Sequence, residues 1–205
     1  IGWKKATEIA DIQSGDIYNF FRKNQKVNIP ITSFKKLMTE TDTNFSTSQL
    51  LIKTGTSNSI PASIPVNEDF CSYLGYYVSE GYYEDKKGGK VIITNSDERV
   101  LNHITSLSER LFGLTPKRRT VFGAGSSVQL IISCKPLVKL LSKLEIGRIG
   151  TEKRVPALIY GLSKKKIAAF LRTLYEGDGS ITVSEKSGNS IRYSTTSKKL
   201  AEDIA

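Results

Sequence analysis

The sequence predicts an α+β chain: a small helical module, then an αββαββα unit that is completed once and begun a second time. Two observations carry this. Apolar stretches at helical spacing alternate with paired strand-like runs around glycine turns. One helical pattern also occurs twice, as FCSYLGYYVSEG from Phe70 to Gly81 and FLRTLYEGDG from Phe170 to Gly179, and each copy is followed by a strand pair.

The first segment, residues 1–45, reads as helical. Ala6 to Ile12 is one short helix, Ser14-Gly15-Asp16 a capped turn, and Ile17 to Lys23 a second helix. Pro30 breaks the pattern, and Ser33 to Met38 begins a third. Two short helices around a glycine turn fit a helix-turn-helix, which would put Ser14, Asn19, Arg22 and Lys23 on or near a groove-facing helix. A three-helix mini-bundle of any purpose reads the same way. Residues 46–66, rich in Ser, Thr and Asn, read as a linker with room for one hairpin, including a strand from Gln49 to Lys53.

A regular unit occupies 67–162. Asn67 caps a helix whose first turn holds Glu68 and Asp69, where the helix dipole favours acids. Glu80 ends it, and Gly81 is expected as a left-handed terminator. Tyr82–Asp85 and Lys90–Thr94 form a hairpin around Lys87-Gly88-Gly89. Ser96 caps a helix carrying Val100, Ile104, Leu107 and Leu111 on one face, with His103 on an exposed one. Lys117–Phe122 and Ser127–Ser133 form a second hairpin, and Pro136–Leu144 another helix. From residue 163 to 205 the order restarts. Ser163 caps a helix ending at Asp178-Gly179, Ile181–Ser184 pairs with Ile191–Thr195, and Ser197 opens a helix. The chain opens on Ile1 and stops inside this second unit, so it is expected to be a segment of a longer polypeptide.

Each repeated helix has small residues four apart, Gly75 and Ser79 in the first, Thr173 and Gly177 in the second. Residues at this spacing share a face, and small ones let two helices approach below the usual ~8–10 Å. Such a seam would bring Glu80 and Asp178 to adjacent helix C-termini. Carboxylates are disfavoured there and beside each other, so the pair calls for a cation. Mg²⁺, or Mn²⁺, suits a site built from few carboxylates and phosphate oxygens.

Composition agrees with a polyanionic partner. The formal net charge is +10 over 205 residues. Between Lys135 and Arg172 ten basic residues face only Glu145 and Glu152, a net of +8. No apolar run approaches the ~20 residues of a membrane span. Cys71 and Cys134 lack metal-ligand spacing and read as buried thiols of a reducing compartment. A triad or zinc site on His103, the single histidine, is not expected.

The LGYYVSEG and LRTLYEGDG stretches resemble the two motifs of the LAGLIDADG (dodecapeptide-type) homing endonucleases, especially those embedded in archaeal inteins. The resemblance runs from Asn67 to Ala205. It implies a site-specific double-strand DNA endonuclease acting as a monomer with pseudo-two-fold symmetry, in the cytoplasm of an archaeal or other prokaryotic cell. It further implies that Glu80 and Asp178 bind the catalytic metals, with Gly81 and Gly179 as their backbone neighbours. Lys153, in EKRVPALIY, matches the family's lysine before a V/I-P step and would polarise the scissile phosphate or position water. Arg154 is its rival for that role, and Lys153 as a simple phosphate contact is another reading. The hairpins would form a saddle along DNA, with Lys90, Arg118, Arg119, Gln129, Arg154, Arg192 and Tyr193 as contacts. A one-residue shift in strand register would turn each to the other face. The motifs depart from the common pattern at Tyr73, Leu74, Val78, Arg172 and Thr173, and Glu80 stands where Asp is usual. The alternative is a non-cleaving relative, an RNA maturase or a DNA-binding transcription regulator. Protein splicing by a parent chain would need a nucleophile and a His-Asn pair that lie outside this segment.

Overall fold

The computed structural model describes residues 3–11, 29–41, 50–86, 88–121, 127–183 and 188–205. Two compact units divide the chain between Gln49 and Leu50.

In the first unit, α1 (Trp3–Ala10) and α2 (Ile31–Thr41) bury Ala6, Ala10 and Leu37 against Ile9, Ile29 and Met38. Pro30 precedes α2, and its carbonyl accepts the Phe34 N–H, so the proline begins the helix as the missing amide permits. The helix-turn-helix expectation, with Ser14, Asn19, Arg22 and Lys23, lies outside the described residues.

The second unit opens with β1 (Leu51–Ile52) paired to β2 (Ile60–Pro61). Its loop is tied to the corner at Ser133–Lys135: Asn58 Nδ2 donates to the Ser133 carbonyl at 2.9 Å, and Ser57 Oγ accepts the Lys135 N–H at 2.7 Å. From residue 50 onward the expected linker is therefore part of the packed unit, with Ile60 in the core.

Helix α3 (Glu68–Glu80) is the centre of the molecule's larger core. Asn67 Oδ1 accepts the Phe70 N–H at 3.0 Å, and every residue from Phe70 to Val78 is buried. A helix apolar on all sides belongs inside a core, not on it. Strands β3 (Gly81–Glu84), β4 (Lys90–Asn95), β5 (Lys117–Val121) and β6 (Ser127–Ser133) form an antiparallel sheet in the order β3-β4-β6-β5. Val91 pairs with Ile132 and Ile93 with Leu130, and these side chains enter the core with α3, α4 (Glu98–Phe112) and α5 (Lys135–Lys143). Burying each such aliphatic side chain contributes roughly 1.5–3 kcal/mol. The cap of α4 is Asp97, not Ser96: its Oδ1 accepts the Arg99 N–H at 2.8 Å.

After two short 3-10 turns (Gly150–Glu152 and Ala157–Gly161), α6 (Lys164–Asp178) repeats the role of α3. It is followed by β7 (Gly179–Thr182), β8 (Ser190–Tyr193) and α7 (Lys198–Ile204), with β7 and β8 antiparallel. Cys71 and Cys134 are buried free thiols, as expected. Among the described residues no helix is long and apolar enough to cross a membrane.

Candidate active site

Helices α3 and α6 meet through their small residues. A Cβ added to Gly75 would lie on the Thr173 hydroxyl and the Phe170 carbonyl, and 3.0 Å from the Leu174 nitrogen. One added to Gly177 would reach the Ser79 Cβ at 2.6 Å and the Glu80 Cγ at 3.1 Å. Thr173 Oγ1 also donates across the seam to the Ser72 carbonyl at 2.9 Å. Gly75 thus meets Thr173, and Gly177 meets Ser79, across the seam.

The seam ends at the two acids. Each helix runs directly into a strand, at Gly81 and Gly179. Neither glycine is left-handed: φ is −101° and −87°. They are needed for closeness instead, since a Cβ on Gly81 would come 2.7 Å from the Tyr77 carbonyl, and one on Gly179 2.9 Å from Tyr175 Cα. The carbonyls of Tyr77 and Tyr175 accept the two glycine N–H groups.

The environment disfavours negative charge on both acids. Burial, then the Asp178 carboxylate, push Glu80 up to about 7, against the opposing hydrogen bond from Asn95 Nδ2 to Glu80 Oε1 at 3.0 Å. Burial also raises Asp178, whose Oδ2 lies 3.4 Å from the Tyr193 hydroxyl. A cleft of about 360 Å³ is lined by Val78, Ser79, Gly150, Lys153, Asp178, Ser194, Thr195 and Thr196. Glu80 stands next to Ser79 of that lining. The two acids fit a hard cation: they are close, desolvated and electrostatically unbalanced without one.

Lys153 is 2% exposed. Its Nζ donates to the Tyr77 carbonyl at 2.9 Å and lies 3.5 Å from the centre of the Tyr77 ring. Burial pushes its ammonium down to about 7. Arg154, by contrast, is directed away to Asp203 on α7, at 3.3 Å.

Strand register sorts the expected DNA contacts. Lys90, Arg119 and Gln129 share the sheet face away from the core, and Arg119 Nε donates to Gln129 Oε1 at 3.1 Å. Arg118 is on the other face, paired with Glu98 and with Asn102 at 3.4 Å on α4. Its expected place beside Arg119 is corrected by the pleat, which turns neighbours opposite ways. Arg192 is exposed, whereas Tyr193 turns to Asp178, its ring centre 5.2 Å from that of Tyr175 and tilted 59° to it.

Four further residues, Asn95, Tyr76, Glu176 and His103, join the site and its seam. Asn95 holds Glu80, and the alternation Val91, Ile93, Asn95 along β4 was the signal that could have found it. The Tyr76 hydroxyl donates to Glu176 Oε2 at 2.6 Å, joining the helices one turn above the acids. His103 Nδ1 is 3.0 Å from that hydroxyl, so the ring is half-buried, not on an exposed face. It flanks the Val100–Ile104–Leu107 stripe, which draws it inward.

A matched pair of helices, each delivering one acid above its own hairpin, defines a two-motif α+β protein. The LAGLIDADG-like domain model matches residues 73–145 and 165–205, and the chain belongs to that LAGLIDADG-like family. The chain is 33% identical over 151 residues to a DNA polymerase of Thermococcus aggregans, covering 69% of this chain and 7% of that protein. It is 32% identical over 139 residues to the replication factor C small subunit of Methanocaldococcus jannaschii, covering 67% and 7%. The chain thus spans under a tenth of these curated relatives. A solved structure of I-DmoI in complex with DNA and Ca is similar at 21% identity and a TM-score of 0.41, over 56% of this chain and 59% of that one.

Proposed function

We propose that this chain is a metal-dependent, site-specific DNA endonuclease that cuts both strands. The observation that carries the reading is the convergence of Glu80 and Asp178 at the end of one tight seam. Glu80 and Asp178 would hold the divalent cation, Mg²⁺ or Mn²⁺. When bound, the cation supplies charge neutralisation for a phosphodiester and lowers the pKa of water. Among the described residues no group of three or more His, Cys, Asp or Glu side chains gathers, so the remaining ligands would come from DNA phosphate and solvent.

The chain's own groups have distinct tasks. Asn95 orients the Glu80 carboxylate, and Tyr193 does the same for Asp178. Lys153 lines the cleft, and its amine, turned from the Tyr77 carbonyl, would donate to the scissile phosphate or position a water. Lys90, Arg119, Gln129 and Arg192 offer contacts to phosphates and base edges from the outward sheet faces. Two unlike acids and unlike hairpins in one chain fit a monomer and a non-palindromic target.

A shared segment of this size in proteins as different as a DNA polymerase and a replication factor is what an inserted element leaves behind. We therefore read the chain as the endonuclease part of a splicing insert, working in a prokaryotic cytoplasm, where its two free thiols stay reduced.

The test is cleavage of a supercoiled plasmid carrying the host gene with the insertion removed. Mg²⁺-dependent linear product, lost in Glu80→Gln and in Asp178→Asn, supports the proposal. Specific binding without cutting under any divalent cation, unchanged by either substitution, would identify the non-cleaving alternative.

A further inference from the structure

The backbone around Lys153 is held by the last helix. Ser197 Oγ donates to the Lys153 carbonyl at 2.5 Å. Asp203 Oδ2 accepts the Val155 N–H at 2.9 Å, and its Oδ1 accepts from the Arg154 guanidinium at 3.3 Å. Lys153 and Arg154 donate their own N–H groups to the carbonyls of Gly150 and Ile146 at 3.3 and 3.0 Å. Between Ser197 and Asp203, Leu200 is 1% exposed and anchors α7 in the core. The Asp203 side chain is only 13% exposed, so its bonds are little screened.

Lysine has a long, flexible stem. Its amine is placed only if the backbone under it is fixed, and a displacement of about 1 Å at a reacting group can cost on the order of 10²-fold in rate. We propose that Asp203 is a positioning residue for Lys153, with Ser197, the cap of the same helix, as its aid. Helix α7, which follows the second motif's hairpin, thereby fixes the lysine that precedes that motif. The inference rests on the role given to Lys153 above, yet it can be judged separately.

The experiment uses the full chain as Asp203→Ala, Asp203→Asn, Ser197→Ala, Lys153→Met and Asp203→Ala/Lys153→Met. A pulse of acetic anhydride without DNA or metal, read by mass spectrometry, reports the burial of Lys153. Acylation is expected to rise about tenfold or more in Asp203→Ala, to fall back towards wild type in Asp203→Asn, and to stay unchanged at Lys135. Single-turnover cleavage in Mg²⁺ is expected to fall about tenfold or more, with DNA affinity in Ca²⁺ held within about twofold. Added to Lys153→Met, the Asp203→Ala change is expected to cost nothing further. Unchanged Lys153 acylation in folded Asp203→Ala overturns the proposal. So does an equal loss of rate on both backgrounds, which would mark a merely structural role. Should Asp203→Ala fail to fold, Asp203→Asn and Ser197→Ala face the same criteria. A wild type that never cuts would sink the nuclease reading and leave the acylation arm to decide the clamp. A cutting wild type indifferent to Asp203 would sink the clamp alone.

Discussion

Gly177 lies against Ser79 so closely that a methyl on the glycine would come within 2.6 Å of the serine Cβ. The same closeness recurs at Gly75 and Thr173, and between them they set how near Glu80 and Asp178 can come. The seam is thus both a packing device and the ruler of the site.

Gly75→Ala should be the more damaging alanine, because its Cβ meets Phe170 and Leu174 backbone, which cannot rotate away. The ~1 kcal/mol gained in helix propensity will not offset an overlap costing ~1–3 kcal/mol or more. Calorimetry should show a melting temperature several degrees lower. Gly177→Ala, which meets the Ser79 side chain, should be milder and partly rescued by Ser79→Gly.

Burial, then the Asp178 carboxylate, push Glu80 up to about 7 from an ordinary carboxylate value of 4.5. A raised acid favours the fold only while protonated: this stability is fully present below pH 4.5 and is lost as pH rises through 7. Glu80→Gln should therefore stabilise the metal-free protein above pH 7, by about 1–2 kcal/mol once screening of a partly exposed carboxylate is allowed for. Near pH 4.5 the gain should vanish. Mg²⁺ should raise the melting temperature of the wild type and not that of the variant; equal responses would remove Glu80 from the metal site.

Lys153 has the opposite sign. Its folded value, near 7, lies below the ordinary 10.5, so the unfolded chain holds more protons between those limits and this contribution to stability rises with pH across them. Thermal melts should show the wild type gaining on Lys153→Met from pH 7 to 10. Cleavage by Lys153→Met should drop on the order of 10²-fold with DNA binding retained.

Arg119→Ala should weaken DNA binding and lower the salt slope by about one, as loss of one phosphate contact does. Arg118→Ala should leave both within error and cost at most about 1 kcal/mol of stability, the loss of its partly exposed pair with Glu98. Equal effects of the two would mean that the sheet meets DNA some other way.

What was legible in the sequence was local. The Asn67 cap, the apolar periods of α3 and α4, and the four-residue spacing of Gly75, Ser79, Thr173 and Gly177 each report a nearest-neighbour constraint. Two acids behind two such helices followed from that spacing. The rest depended on distant contacts. The strand after Gly81 was legible, but the extended conformation of that glycine was not, since its need for a bare Cα comes from crowding against Tyr77. The inward turn of Lys153 onto the Tyr77 carbonyl, and the tie from Asp203, join residues far apart in the chain. The facing of Arg118 turned on register, which a one-residue shift reverses.

The pleat of β5 and β6 also limits how this surface can change over generations. Lys117, Arg119 and Val121, with Ser127, Gln129 and Ile131 opposite, form the outward set. Their neighbours Arg118, Leu130 and Ile132 are committed to the helices beneath. Drift in what the sheet touches can proceed through alternate positions while the interior stays intact. Anyone retargeting the surface by randomisation should vary only every second residue.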